Sequence, residues 1–284
     1  GVKTRDPDER GVGDHMGASG VIGSGDVDAH GHCSKPRPVP LRACGIRTLS
    51  TGLGNHQRRG RVFRTVESMD PADWPLFALR LRTPRIEMRI PTDEDLSEVV
   101  ELVRGGMLTD EPYPFVTDWA LVDEPRRTWE TLKFNWRLRA DFSPERFHLS
   151  FITVVDGAVA GVQGLSAADF PRLRQVSSGS FLGSAWQGKG YGREMRAAML
   201  TFAFEALGAE VALSAARISN QRSIAVSRGL GYRDNGIERH PFGADEGDEE
   251  IRFRIDRDEW LAREDRPDVT IDGWDVCAPM FEPG

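Results

Sequence analysis

A single α/β domain on a mixed sheet is the fold class that this 284-residue sequence predicts. Three observations carry it. Aromatic residues are nearly absent before Met69: of 7 Trp, 3 Tyr and 14 Phe, only Phe63 precedes it. Beyond Arg85, short alternating apolar runs take turns with runs of helical period. A glycine-rich loop, Gly188-Lys189-Gly190-Tyr191-Gly192, stands between one such strand and one such helix.

Composition sets the limits. The chain carries 37 Lys and Arg against 44 Asp and Glu, a net charge of −7 with 39% hydrophobic residues. A strongly basic nucleic-acid binder is not the expectation. No window approaches the roughly 18 apolar residues of a membrane span, so no membrane partner is expected. Residues 1–68 hold 11 basic and 7 acidic side chains, Gly-rich stretches and the prolines 36, 38 and 40. Such a segment cannot bury enough surface to offset an ordering cost of roughly 1–2 kcal/mol per residue. It reads as disordered, or as an extension foreign to a protein that starts near Met69. Its cluster Arg58-Arg59-Gly60-Arg61 could recruit RNA, and a solvated tail is the simpler reading. Cys33, Cys44 and Cys277 are scattered and odd in number. They predict neither a disulfide framework nor a zinc site, and point to a reducing cytoplasm. His30-Gly31-His32-Cys33 lacks a partner pair at ligand spacing, so no metal is expected. The domain is expected over 69–264, with a C-terminal tail at 265–284.

The elements follow in order. Residues 85–90 alternate, and Pro91 stops the strand. Thr92-Asp93-Glu94-Asp95 supplies a helix cap and first-turn acids, followed by Leu96, Val99, Val100 and Val103 on one face. Gly105-Gly106 ends that helix. A second helix is expected over 125–139, with Trp129, Leu132 and Trp136 on one face. Strands at 147–155 and 158–165 flank Asp156-Gly157, a hairpin turn. A further strand covers 177–182. After the glycine loop, Met195, Ala198, Met199, Phe202, Ala203 and Ala206 form a helical stripe. A strand at 211–215, a helix at 220–230, closing strands at 231–238 and 250–255, and a short helix at 256–263 complete the domain. The tail has room for one strand.

The glycine loop has a chemical reading. Glycines let backbone N–H groups approach an anion, and a helix N-terminus adds donors and partial positive charge. Phosphate or pyrophosphate is the expected ligand. The spacing is neither a Walker loop nor a dinucleotide fingerprint. A tight strand–helix turn without a ligand is the bland alternative.

Gln187-Gly188-Lys189-Gly190-Tyr191-Gly192 resembles the Q/R-x-x-G-x-G/A loop of the GNAT N-acyltransferases. Asn220-Gln221-Arg222-Ser223-Ile224-Ala225-Val226-Ser227-Arg228-Gly229-Leu230-Gly231-Tyr232 is similar to that family's second signature. The resemblance covers 83–256 and is closest to the Rim-type ribosomal-protein acetyltransferase branch. Ala160-Gly161-Val162-Gln163-Gly164-Leu165 and Gly179-Ser180-Phe181-Leu182-Gly183 also resemble an actinobacterial set that includes a succinyl-CoA transferase. The resemblance implies a mixed, mostly antiparallel sheet with splayed central strands flanked by helices. It implies acyl-CoA in the opening, with pantetheine along Phe181, Leu182, Gly183 and Ser184. The pyrophosphate would sit on the loop amides, beside Gln187, and Asn220 and Ser223 would reach the cofactor.

Acyl transfer to an amine needs deprotonation of the amine, a donor for the oxyanion and help for the departing thiolate. The resemblance implies direct attack. Where many members carry a tyrosine acid, seven residues after the motif Asn, this chain has Ser227. Ser227 is therefore the candidate thiolate donor, with a helix serine bonded to its own backbone as the alternative. Asp169 and Glu111 are the candidate bases. His148 reads as a packed histidine. Arg174, with Arg172, is the candidate cation for a succinyl carboxylate. The expected function is transfer of an acetyl or succinyl group from CoA to a small-molecule or protein amine. A degenerate GNAT that only senses acyl-CoA is the alternative, and a homo-oligomer is left open.

Overall fold

The computed structural model describes residues 73–106, 115, 119–242 and 246–283. Residues 1–68 lie outside the described residues, so their expected disorder and the readings of their basic and His-Cys clusters do too. The strands in chain order are β1 (Arg80–Arg82), β2 (Glu87–Arg89), β3 (Arg146–Val155), β4 (Ala158–Ala168), β5 (Gln175–Leu182), β6 (Val211–Arg217), β7 (Arg233–Phe242), β8 (Glu246–Asp256) and β9 (Thr270–Asp272). The helices are α1 (Asp93–Arg104), α2 (Arg126–Ala140), α3 (Phe170–Leu173), α4 (Tyr191–Thr201), α5 (Gln221–Gly229), α6 (Arg257–Leu261) and α7 (Trp274–Cys277).

Among the described residues, nine strands form one sheet in the order β7-β8-β6-β5-β4-β3-β2-β1-β9. Every pairing is antiparallel except β5 with β6. That parallel pair is short, running from Gln175↔Val211 to Ser178↔Ser214. Beyond it, β5 stays with β4 as far as Gly161↔Leu182, and β6 stays with β8 as far as Arg217↔Glu250. The two strands separate over their last residues, which is the splayed, mostly antiparallel α/β sheet expected from the sequence.

The sheet has a core on each face. On one, α4 packs with Phe151, Phe202, Phe204, Phe253 and Trp260, all fully buried. On the other, Val99 and Val103 of α1 pack with Trp119, Ile152, Val162 and Phe181. The cap expected for α1 is present: Asp95 N–H donates to Thr92 Oγ1, and Thr92 N–H donates to Asp95 Oδ2 at 3.0 Å. Arg89 Nη2 adds a 2.6 Å ion pair to Asp95.

Three expectations need correction. The α2 stripe is inverted: Trp129 and Trp136 are 56% and 49% exposed, while Thr131 and Asn135 are buried. The buried pair meets its polar needs within the helix. Thr131 Oγ1 donates to Arg127 O and Asn135 Nδ2 donates to Thr131 O, both at 2.9 Å, which lowers the cost of burial. The stripe on α4 is only part of its buried surface, because every residue from Met195 to Phe204 is buried, Arg196 and Thr201 included. Its last turn widens into a π turn over Phe202–Ala206, with Leu207 N–H donating to Phe202 O at 3.0 Å. Finally, the segment after 265 adds a strand to the sheet and two side chains to the core. β9 pairs with β1, and Cys277 and Phe281 are buried. β1 itself escapes the sequence pattern because Arg-Leu-Arg is too short to show a period.

Cys277 is fully enclosed, and burial pushes its thiol up to about 11. Only the thiolate reacts with disulfide reagents. In a Cys33→Ser/Cys44→Ser background, a thiol reagent at pH 8 should therefore read no reactive thiol in the native protein and one after denaturation. Rapid native labelling would mean that the segment after 265 opens readily.

Candidate active site

The glycine loop joins β5 to α4. A short 3₁₀ turn, Ser184–Trp186, leads into it. Gly188 and Gly190 have φ of +74° and +85°, a region that side-chain-bearing residues avoid. Among the described residues, no main-chain N–H from Gly188 to Gly192 has a main-chain acceptor. Five adjacent donors thus gather at the N-terminus of an eleven-residue helix, a geometry suited to an anion.

Side chains hold the loop in this shape. Arg85, just before β2, donates from Nη1 to Lys189 O at 3.1 Å and from Nε to Glu194 Oε2 at 2.7 Å. Its guanidinium also lies 4.9 Å from the centre of the Tyr191 ring. Thr83 bonds the other Glu194 oxygen. Glu194 therefore does not stand free beside the loop, where it would repel an anion. Lys189 sits over Trp186, 5.5 Å from its centre. Gln187 Nε2 donates to Leu182 O at 3.0 Å.

The second motif is brought beside the first. Arg222 Nη1 of α5 donates to Gln187 Oε1 at 3.1 Å. Asn220 caps α5, accepting from Ser223 N–H at 3.1 Å. Ser227 is completely buried, donating to Ser223 O at 3.1 Å and accepting from Arg196 Nη1 at 2.7 Å. The back-bonded serine weighed in the sequence is thus present, together with a cationic donor that the sequence did not reveal. Between the two motifs lies the free edge of β5, Gly179 to Leu182, which β6 has left. Gly183 and Ser184 already donate their N–H groups to Ala160 O and Gly106 O. Within the expected Phe181–Ser184 edge, Leu182 is therefore the residue whose N–H faces away from β4.

The other candidates stand apart from this place. Asp169 follows β4 and accepts from Arg172 Nη1 at 3.2 Å. Arg174 ends α3, with its guanidinium 5.4 Å from the Phe170 ring centre. Both belong to the turn that enters β5 where β5 and β6 are still paired. Ser180 lies five residues along the strand from Gln175, roughly 17 Å at strand rise. Asp169, Arg172 and Arg174 thus lie at the paired end of β5, away from its free edge. The strand direction carries them away from that edge. Glu111 lies outside the described residues.

On the α1–α2 side, Val99, Thr131, Phe134, Asn135, His148 and Gly179 help to line a narrow recess that is partly open to solvent. His148 meets Phe134 edge-on at 5.5 Å, and a Cβ on Gly164 would come within 2.9 Å of its Nε2. On the far side of the sheet, Glu238, His240 and Glu250 bring ligand atoms within 4.8 Å of one another. Arg252 Nη1 already binds both carboxylates, at 2.7 and 2.9 Å, so this is an ion-pair network.

Comparison with known proteins agrees with the geometry. The acetyltransferase (GNAT) domain matches residues 85–233, just over half of the chain. The chain belongs to the GNAT acetyltransferase family. Over 92 residues it is 35% identical to the FsC-acetyl coenzyme A-N(2)-transacetylase of Aspergillus fumigatus, covering 31% of this chain and 38% of that protein. The chain thus spans about two fifths of the length of the curated relative it matches. Mycobacterium smegmatis RimJ in complex with CoA-disulfide superposes with a TM-score of 0.56 at 20% identity, over 72% of this chain and 95% of its own. The microcin C7 self-immunity acetyltransferase MccE, in complex with acetyl-CoA and AMP, gives 0.52 at 14% identity, over 61% and 93%. At these identities the likeness is one of fold. Among the described residues of this GNAT chain, no helix is long and apolar enough to cross a membrane.

Burial lowers the His148 pKa from 6.5 to about 4. The unfolded chain then binds a proton that the folded one refuses between those values, so folding stability falls as pH drops through that window. At about 1.4 kcal/mol per unit, the loss is on the order of 3 kcal/mol by pH 4. Denaturant melts at pH 7 and pH 4 should show His148→Gln losing less stability than wild type by about that amount. Equal losses would mean that His148 is protonated in the native recess.

Proposed function

We propose that this protein is an acyl-CoA-dependent N-acyltransferase, with the thioester lying along the free edge of β5 and the pyrophosphate on the amides of residues 188–192. The observation that carries this is the juxtaposition of five open N–H donors with an unpaired strand edge. An extended pantetheine arm can add to such an edge through its own amides, while its phosphates take the donors. The uncharged amine attacks the thioester carbonyl, forming a C–N bond. The tetrahedral intermediate then collapses, the C–S bond breaks, and the sulfur leaves with its electron pair.

The donor we favour is acetyl-CoA. Arg174 and Arg172, the candidate cations for a succinyl carboxylate, belong to the other end of β5, and acetyl-CoA is named for the Aspergillus fumigatus relative and for MccE. The acceptor is an amine that reaches the α1–α2 recess. A polyamine is the class to try first, since a chain of related fold is a spermidine N-acetyltransferase by name.

The direct test is thiol release from acetyl-CoA and succinyl-CoA across a panel of amines. Tight acyl-CoA binding with no thiol release for any amine would favour the sensor reading instead. Gly190→Asp places a carboxylate among the open amides and should weaken CoA binding at least tenfold, about 1.4 kcal/mol. Calorimetry on the folded variant measures it, and unchanged affinity would move the phosphate site elsewhere. Ser227→Ala should lower kcat more than it raises KM, because an interaction with the departing sulfur grows in the transition state. Wild-type kcat in that variant would leave Ser227 with its backbone role alone.

A further inference from the structure

Arg196 is a buried cation. It is 4% exposed, and among the described residues no carboxylate pairs with it. Nη1 donates to Ser227 Oγ at 2.7 Å, Nη2 reaches Ser180 Oγ at 3.4 Å, and Nε has no partner. A guanidinium left in this condition is costly to bury. The groups around it are polar and also incompletely satisfied. β4 presents Gln163, cross-strand from Ser180, with an unpaired Oε1. β5 presents Ser178 and Ser180, α5 presents Ser227, and Tyr232 follows α5. The hydroxyls of Ser178 and Tyr232 are buried beside each other. Tyr232 is the titratable side chain among them, and burial raises its pKa, so it stays neutral and supplies no negative charge.

The position is as informative as the composition. Ser178 is the last residue of β5 paired with β6, and Ser180 lies on the free edge beyond it. Arg196 therefore sits under the point where the strands part, on the α4 side. A buried positive charge there favours an anion that forms in the gap. We infer that Arg196 is a positioning residue for the departing thiolate: acting through Ser227, its guanidinium stabilises the sulfur anion as the C–S bond breaks. The sulfur leaves with its electron pair as thiolate, and the proton lost by the amine goes to water. No side-chain acid is required, which accounts for a serine at position 227. Ser227 accepts from Arg196, and that bond strengthens its own donation, which turns from Ser223 O toward the sulfur. This rests on the proposed placement of the thioester along β5.

An equilibrium measurement on the full chain separates the two claims. Binding of CoA and of S-methyl-CoA is followed by calorimetry from pH 6 to pH 10, with free CoA titrated in the same buffers. The difference between the two ligands reports the bound thiol. In wild type it should titrate at least one pH unit below free CoA, so CoA affinity rises at least tenfold relative to S-methyl-CoA. In Arg196→Met it should titrate at or above free CoA, and Arg196→Lys should restore part of the shift. If Arg196→Met does not fold, Ser227→Ala should also raise the bound thiol's pKa, since the contact passes through that hydroxyl. A wild-type bound thiol that titrates with free CoA overturns the inference. So does a lowered pKa that survives in Arg196→Met or, where that variant fails to fold, in Ser227→Ala. Failure of S-methyl-CoA to bind wild type would instead reject the placement of CoA itself.

Discussion

The parting of β5 from β6 is the constraint on which the rest depends. They form the one parallel pair in the sheet, and parallel neighbours need a crossover from the end of one strand to the start of the other. β5 ends at Leu182 on the open side, while β6 begins at Val211 opposite Gln175, on the closed side. The crossover must therefore turn at the open end and run back, and α4 is that return. Its N-terminus, with the glycine loop, is fixed at the mouth of the gap. β6 then runs toward the same mouth, so Asn220 and the start of α5 arrive there too. Two motifs about thirty residues apart in sequence become neighbours because one pair of strands is parallel and short.

The same topology explains the unusual burial of α4. As the crossover, it is covered by the sheet on one side and by α5 and the chain after it on another. A helix in that position would ordinarily be apolar all round. Arg196 and Thr201 break that rule, and Arg196 does so where β5 has lost a strand partner. Ser178, Ser180, Ser214 and Ser227 line this region, and small hydroxyl side chains leave room for polar contact under the gap. The outer charges are arranged differently. Glu194 is taken up by Arg85 and Thr83, and Arg193 pairs with Asp265, so the first turn of α4 presents main-chain donors without a competing carboxylate.

Much of this was legible in the residues. Alternation, the Thr92–Asp95 cap, the Asp156-Gly157 turn and the spacing of the two motifs are local signals, and local structure followed them. What failed was long-range. The Trp129 and Trp136 stripe looked like a core face because it is apolar, but Thr131 and Asn135 can satisfy themselves within α2 and take the inner side. Arg196 was passed over because a helical period identifies one buried face, and α4 has more than one. Asp169 follows β4 in the chain and Arg174 precedes β5. Strand direction, which no local pattern contains, sends them to the opposite end.

β5 also divides the chemistry between its two faces. Ser178 and Ser180 turn toward Arg196 and Tyr232, a layer of donors and one cation. Gly179 and Phe181 turn the other way, into the recess with His148, Asn135 and Val99. A thioester threaded through the gap would meet both environments at once. Its sulfur, where negative charge develops, belongs with the donors. Its carbonyl carbon must be reached by an amine that has shed its proton, and the α1–α2 recess suits that approach: it is mostly apolar, and its histidine is kept neutral by burial. An ammonium ion would lose hydration there with little in return, so the recess favours entry of the free amine. Glycine at 179 and at 164 keeps the floor of that recess low. The division follows from the two-residue alternation of a strand, applied where one of its edges has been left open.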